Sequence, residues 1–212
     1  MNFQEAIADY RFLKDRDYPD KAALKLVSDR YRLSSMQRNC LFRAVFSAAD
    51  CHRRQRKLIR PEAVAGRLLG VDWYNVLITV ESYLKGFPVF LSDDGLLRDS
   101  SGIHGSYRAS KVTERAIDRI LECIGRLGPR RSQLFLDSPI SHSGDMAEGL
   151  RSRTAAIHDL DFEIQVSPSA DYPLKSYKGV VATSDSSIID RESVREVVDL
   201  PRFIIENSYG AQ

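Results

Sequence analysis

Three aspartates stand where short apolar runs give out, and that placement is where chemistry first becomes legible in this chain. Asp72 follows residues 67–71, Asp137 follows 134–136, and Asp185 follows 180–184. Each run is apolar or β-branched and gives way to a helical pattern, which reads as strand then helix. In a parallel α/β sheet such turns collect along one edge, where ligands bind. Carboxylates gathered there repel one another unless a cation, a proton or a basic neighbour compensates them. A divalent metal with oxygen ligands is the economical compensation.

Polar groups surround each aspartate. Asn75 lies three residues beyond Asp72, so an amide and a carboxylate can address one crevice. Asp137 opens an Asp-Ser-Pro turn, and residues 141–144, with Ser143 among them, then offer hydroxyls and helix N–H groups to an anion. Asp185 sits among Thr183, Ser184 and Ser186, more oxygen than a simple helix cap needs. Asp171, in the bridge between two strands, can reach the same edge. Each residue also has a structural alternative, since Asp is a favoured N-cap and Ser and Pro are turn formers.

The elements that must position these groups follow an alternating pattern. Strands are expected at 67–72, 133–137, 162–166 and 179–184, with helices at 74–85, 111–127, 143–158 and from 186. A hairpin at 88–99, turned by Asp93-Asp94-Gly95, and a loop at 100–109 interrupt the series. The alternation argues an α/β domain over 66–212, three-layered, with a mostly parallel sheet and helices on both faces. Ahead of it, residues 1–60 read as a small all-helical unit. Phe3, Ile7, Tyr10 and Leu13 recur at helical spacing, as do Ala22, Ala23, Leu26 and Val27. Ser34 and Gln37 form a capping box before a third segment with Met36, Cys40, Leu41, Ala44, Val45 and Ala48 on one face. The basic run at 51–57 reads as a solvated junction, with contact to phosphate as the second reading. Residues 21–43 have a helix–turn–helix flavour shared by three-helix appendages of many functions.

Bulk properties bound the function. The 212 residues carry a net charge of +2, but residues 1–67 hold 15 Lys and Arg against 8 Asp and Glu, while the remainder holds 16 against 21. A basic appendage beside an acidic domain suits nucleic acid on one side and cations on the other. No apolar stretch approaches the ~20 residues of a membrane span, and the amino terminus lacks the pattern of a signal peptide. Three cysteines without C-x-x-C spacing read as reduced thiols of a cytoplasmic protein. Neither a Walker A sequence, a G-x-G-x-x-G turn nor a nucleophile elbow is present, which disfavours nucleotide-dependent and triad enzymes.

The order strand-Asp-x-Tyr-Asn, strand-Asp-x-Pro, Ala-Asp-x-x-Leu and Val-Ala-Thr-Ser-Asp resembles the PIN-like superfamily, above all its NYN branch. The resemblance covers roughly residues 66–206. It implies a compact α/β nuclease whose acidic tetrad, here Asp72, Asp137, Asp171 and Asp185, holds divalent metal and cleaves RNA, with Asn75 in support. Two positions depart from the pattern: Trp73 and Ser138 stand where glycine is usual, and 86–109 looks like an insertion. The whole chain is also similar to a prokaryotic family that joins a small helical segment to such a domain.

The expectation is therefore a metal-dependent nuclease acting on RNA, with DNA as the second substrate and no membrane association. Asp72 and Asp185 would bind Mg²⁺ or Mn²⁺, with Asp137 and Asp171 completing the site. The metal would lower the pKa of a bound water and neutralise phosphate charge. Asn75 and Ser184 would orient water or phosphate oxygens, and Trp73 would stack on a base or plug the core. In the inserted loop, His104 would serve as general acid and Arg108 as a phosphate ligand, against the alternative of a plain surface loop. Two rivals stand beside this reading: a non-catalytic binding module on the same fold, and a transcriptional regulator acting through the helical unit.

Overall fold

The computed structural model describes residues 3–100, 107, 109–140, 142–157 and 160–210. The first four helices are α1 (Phe3–Lys14), α2 (Asp20–Tyr31), α3 (Ser35–Ala44) and α4 (Ala48–Gln55). Ala6, Tyr10, Ala23, Val27, Leu33, Leu41 and Val45 close a small core between the first three. The capping box at α3 forms as expected, Ser34 Oγ accepting from Gln37 N and Gln37 Oε1 accepting from Ser34 N. The expected continuous third segment does not. Residues 45–47 are extended and Ser47 caps a new helix, so the face expected through Ala48 is broken. Leu26 and Met36 point to solvent, because three short helices enclose only a narrow apolar seam.

The sheet is wholly parallel: β1 (Leu68–Asp72), β4 (Arg131–Asp137), β5 (Phe162–Ser167), β6 (Val180–Ala182) and β7 (Val197–Val198), in the order β5-β4-β1-β6-β7. The remaining strands, β2 (Val89–Leu91) and β3 (Leu97–Asp99), make the antiparallel hairpin, closed by a five-residue loop rather than a tight turn. Side chains alternate across the sheet. Leu69, Val71, Leu134, Leu136, Val180 and Ala182 face one core, filled from α5 (Trp73–Leu84), α6 (Lys111–Leu127), α7 (Ser143–Ala155) and α10 (Leu200–Tyr209). Phe135, Val181 and Val197 face a second, thinner core covered by α8 (Asp171–Leu174), α9 (Ser186–Ile189) and Leu96 of the hairpin. The fold is the expected α/β arrangement with helices on both faces and an all-helical unit in front. The sequence pattern did not reveal β7, α8 or α10.

Strand order controls where the aspartates go. The chain leaves β1 for β4 and β5 on one side, then returns across the sheet to β6 and β7 on the other. Ligand crevices of open parallel sheets open where such a reversal occurs, beyond the strand carboxyl ends. Gly70 makes the return crossing compact. A Cβ at that position would lie 2.9 Å from the Tyr177 ring and 3.2 Å from Leu174, so only glycine lets the α8 segment rest directly on β1.

Ion pairs dock the helical unit. Asp94, fully buried in the hairpin loop, accepts from Arg98 (2.6 and 2.9 Å) and from Arg54 of α4 (3.1 Å). Arg54 also bonds both carboxylate oxygens of Asp190, at 2.8 and 2.7 Å. The Phe46 ring lies under both guanidinium groups, 4.3 Å from Arg54 and 4.9 Å from Arg98. Arg11 clasps Asp93 at 2.8 Å, and Lys57 Nζ donates to the carbonyls of Ile189 and Arg191. The basic run is thus a junction exposed at His52, Arg53, Gln55 and Arg56 but anchored through Arg54 and Lys57. Its central arginine is internal, because carboxylates distant in sequence converge on it.

Removing one member of a buried ion network strands its partner in low dielectric and costs about 3–5 kcal/mol. Arg54→Ala is expected to lower unfolding stability by about that amount in urea titrations, and Arg53→Ala by less than about 1 kcal/mol, as an exposed pair does. Equal, small losses in both variants contradict the network's role.

Candidate active site at the sheet edge

Asp72 ends the central strand and stands at the N-cap position of α5, yet its side chain caps nothing. It is buried, and Oδ2 accepts from Thr183 Oγ1 at 2.8 Å, across the gap between β1 and the end of β6. The Asp185 N–H in turn donates to Thr183 Oγ1 at 3.1 Å. Asn75 lies one turn along α5, where its Oδ1 accepts from Ser184 N (2.8 Å) and Ser184 Oγ (3.0 Å). With that oxygen occupied, the NH₂ is what Asn75 has to offer a ligand. Ser184 is consequently a positioning residue: its hydroxyl orients Asn75, and its carbonyl accepts from Arg98.

The other three carboxylates share a cavity of about 340 Å³ with Asp72, lined also by Arg43, Tyr74, Asn75 and Asp99. Asp137 holds the N–H of Ala170 at 2.7 Å. Asp171, at the start of α8, accepts from Lys175 Nζ (2.7 Å) and Ser187 Oγ (3.2 Å). Asp185 caps α9, accepting from Ser187 N at 2.8 Å. The tetrad expected from sequence is therefore brought to one place, but with unequal freedom. Asp137, Asp171 and Asp185 each carry a structural hydrogen bond as well.

Burial pushes the Asp72 carboxyl up to about 8, and the charges of Asp185, Asp137 and Asp171 add to the rise, against the lowering effect of Thr183. Asp137 is raised for the same reasons, burial first and then Asp171 and Asp185. Among the described residues no three acidic, histidine or cysteine side chains converge as a ready-made metal cage. Mg²⁺ does not require one, since it keeps several waters and binds through one or two carboxylates. The donor chemistry fits a hard, hydrated dication better than a softer metal. Of the three neighbouring carboxylates, Asp185 is the one whose charge raises Asp72 most.

Several expected site residues lie elsewhere. Trp73 is fully buried in the main core, where the first turn of α5 meets the sheet, and cannot stack on a base. Ser143 is buried and its hydroxyl donates to the Ser138 carbonyl at 3.2 Å, which ties the turn after β4 and removes it from ligand contact. His104 and Arg108 lie outside the described residues. Four residues that line or adjoin the cavity were not singled out from sequence: Arg43, Tyr74, Asp99 and Lys175. Tyr74 had a signal, being the central residue of the Trp-Tyr-Asn run. Arg43 and Asp99 had none, because their role depends on docking the helical unit against the hairpin.

No described helix is long and apolar enough to cross a membrane. The family profile described as "Domain of unknown function (DUF5616)" matches residues 61–203, and that of "Protein of unknown function (DUF434)" matches residues 2–57. A relative, the uncharacterized protein MJ0935 of Methanocaldococcus jannaschii, is 34% identical over 206 residues, covering 97% of this chain and 98% of its own. No solved structure matches the chain.

The Asp72 titration has a consequence for stability. Its carboxyl holds a proton more tightly folded than unfolded, so its contribution is complete below about pH 4 and is lost as pH rises through about 8. Urea unfolding in chelating buffer between about pH 5 and about pH 9 should show the parent losing stability more steeply than Asp72→Asn, by up to ~4 kcal/mol across the window. Parallel slopes in the two proteins contradict the assignment.

Proposed function

The chain belongs to the DUF5616 family, and we propose that it is a divalent-metal-dependent nuclease that hydrolyses phosphodiester bonds, with RNA as its first substrate and DNA as its second. One observation carries the reading: Asp72 is buried at the end of the central strand without capping its helix, and three more carboxylates line the same cavity. A carboxylate placed so is costly unless something positive joins it. Mg²⁺ or Mn²⁺, held by Asp72 and Asp185, is the group that fits. Once bound, such a cation supplies charge neutralisation at a phosphate and activation of water. The resemblance to PIN-like nucleases supports the same assignment.

The chain's own residues have distinct tasks on this reading. Asp72 would hold the cation in its ionised form. Thr183 then holds one of its oxygens in place, leaving the other for the ligand. Ser184 fixes the Asn75 amide, whose NH₂ donates to a phosphate oxygen or to water. Asp137 and Asp171 line the same cavity and complete or bridge the site, Asp171 with its charge balanced by Lys175. Cytoplasmic work is consistent with three free cysteines.

A second reading, a binding module without catalysis, is favoured by one observation. Asp137, Asp171 and Asp185 each already satisfy a hydrogen bond within the fold. The two readings part in an assay of single-stranded and structured RNA and DNA with Mg²⁺ or Mn²⁺. The parent should cut RNA, and Asp72→Asn and Asp185→Asn should fold yet lose at least about 100-fold in rate, as loss of a principal electrostatic group does. Cleavage undiminished in both variants, or RNA bound but never cut by the parent, overturns the nuclease reading.

A further inference from the structure

The acidic cavity has one wall that the aspartates do not explain. Arg43 comes from α3 of the helical unit and lines the cavity alongside Asp72 and Asp185. It also lines the larger neighbouring cleft of about 900 Å³, with Asn75 and Asp185 as the other residues common to both. Among the described residues that line the acidic cavity, Arg43 is the sole cationic side chain. Its Nη2 donates to Asp99 Oδ2 at 3.0 Å, and Asp99 is buried and also accepts from Thr79 Oγ1. Its Nε is buried with no hydrogen-bond partner among the described residues.

Tyr74 supplies a second, independent sign. The side chain is 3% exposed, lines the same cavity, and its buried hydroxyl has no hydrogen-bond partner among the described residues. The Tyr107 ring meets it edge-on at 5.5 Å, which holds the phenol in place. Buried donors are almost always paired, so two unpaired ones in a single cavity mark a missing acceptor. The carboxylates suit a cation, and the Arg43 guanidinium suits an anion. A phosphate group accompanied by a dication satisfies both sets at once.

We propose that the helical unit completes the site, with Arg43 grasping a backbone phosphate of the nucleic acid and the Tyr74 hydroxyl donating to the same group. The proposal rests on the nuclease reading for its choice of phosphodiester over free phosphate. A guanidinium presents a planar fork of N–H groups that matches two phosphate oxygens. One arm on Asp99 fixes the fork and leaves Nε as the donor still to be satisfied. This role accounts for the rigid docking of the helical unit through Arg54 and Arg11, since a tethered unit would not hold an arginine to such precision. Were Arg43 merely an interface ion pair like Arg11–Asp93, its removal would change stability and leave ligand affinity alone.

The test uses the full chain, Mg²⁺ and a 2′-O-methyl phosphorothioate hexaribonucleotide that resists cleavage. The Arg43 Nε–H resonance, assigned by its loss in Arg43→Lys, should move on titration. Affinity should fall about 10- to 100-fold in Arg43→Ala, as for loss of a hydrogen bond to a charged group. It should fall by a smaller factor in Arg43→Lys, which keeps the charge, and in Tyr74→Phe, which keeps the packing. Inorganic phosphate in place of the oligonucleotide, if it moves the resonance equally and saturates as tightly, overturns the choice of a diester. An unmoved resonance with unchanged affinities overturns the role of Arg43 even if the parent cuts RNA. A resonance that moves while the parent cuts nothing upholds the phosphate seat and dismisses the nuclease reading instead.

Discussion

The organising constraint of this molecule is a carboxylate held out of water at the end of the central strand. Asp72 accepts a hydrogen bond from Thr183 and sits beside the charges of Asp185, Asp137 and Asp171. Desolvation alone makes its ionised form costly, and like charges make it more so. The architecture imposes this arrangement. A parallel sheet that reverses around β1 gathers every strand end on one edge, and Gly70 lets α8 bring Asp171 down upon the same edge. Folding of the free protein is compatible with the cluster because Asp72 retains a proton and Lys175 balances Asp171. On the proposed reading, a cation would take the place of that proton.

A second charged assembly does the opposite work. Asp94 is as deeply buried as Asp72, but two arginines surround it, and its carboxyl is held below the usual range despite burial, through Arg98 and Arg54. Two buried aspartates in one chain therefore shift in opposite directions. One is fully paired and cements the helical unit to the hairpin; the other is left uncompensated in the wall of a cavity. The contrast argues that the want of a basic partner at Asp72 is a property of the site. Docking through Asp94 also sets α3 so that Arg43 reaches the acidic cavity.

Much of the edge was legible in the sequence because it depends on local pattern. Apolar runs ending in Asp72, Asp137 and Asp185 gave both strand and turn, and periodicity alone sufficed for the long amphipathic α6. What escaped depended on partners far along the chain. The basic run looked solvated since Asp94 and Asp190 lie 40 and 136 residues from Arg54. The two-residue β7 has no period to detect, and it forms because β6 and the segment at Leu58 flank it. Trp73 looked available because its neighbours Asp72 and Asn75 address the cavity, yet a residue one step along a helix turns to another face. Ser47 caps α4 by accepting from Asp50 N, a break that the apolar spacing on either side of it concealed.

Direct cation binding tests the central claim most plainly. Mn²⁺ titration of the full-length protein, followed by electron paramagnetic resonance of the free ion, reads occupancy without reference to any substrate. The account predicts saturable binding to the parent, with affinity falling at least about 10-fold in both Asp72→Asn and Asp185→Asn, the range seen when supporting ligands of metal sites are lost. It also predicts that Asp94→Asn, if it folds, leaves that affinity unchanged. Binding that is absent in the parent, or equal in the parent and both edge variants, would contradict it.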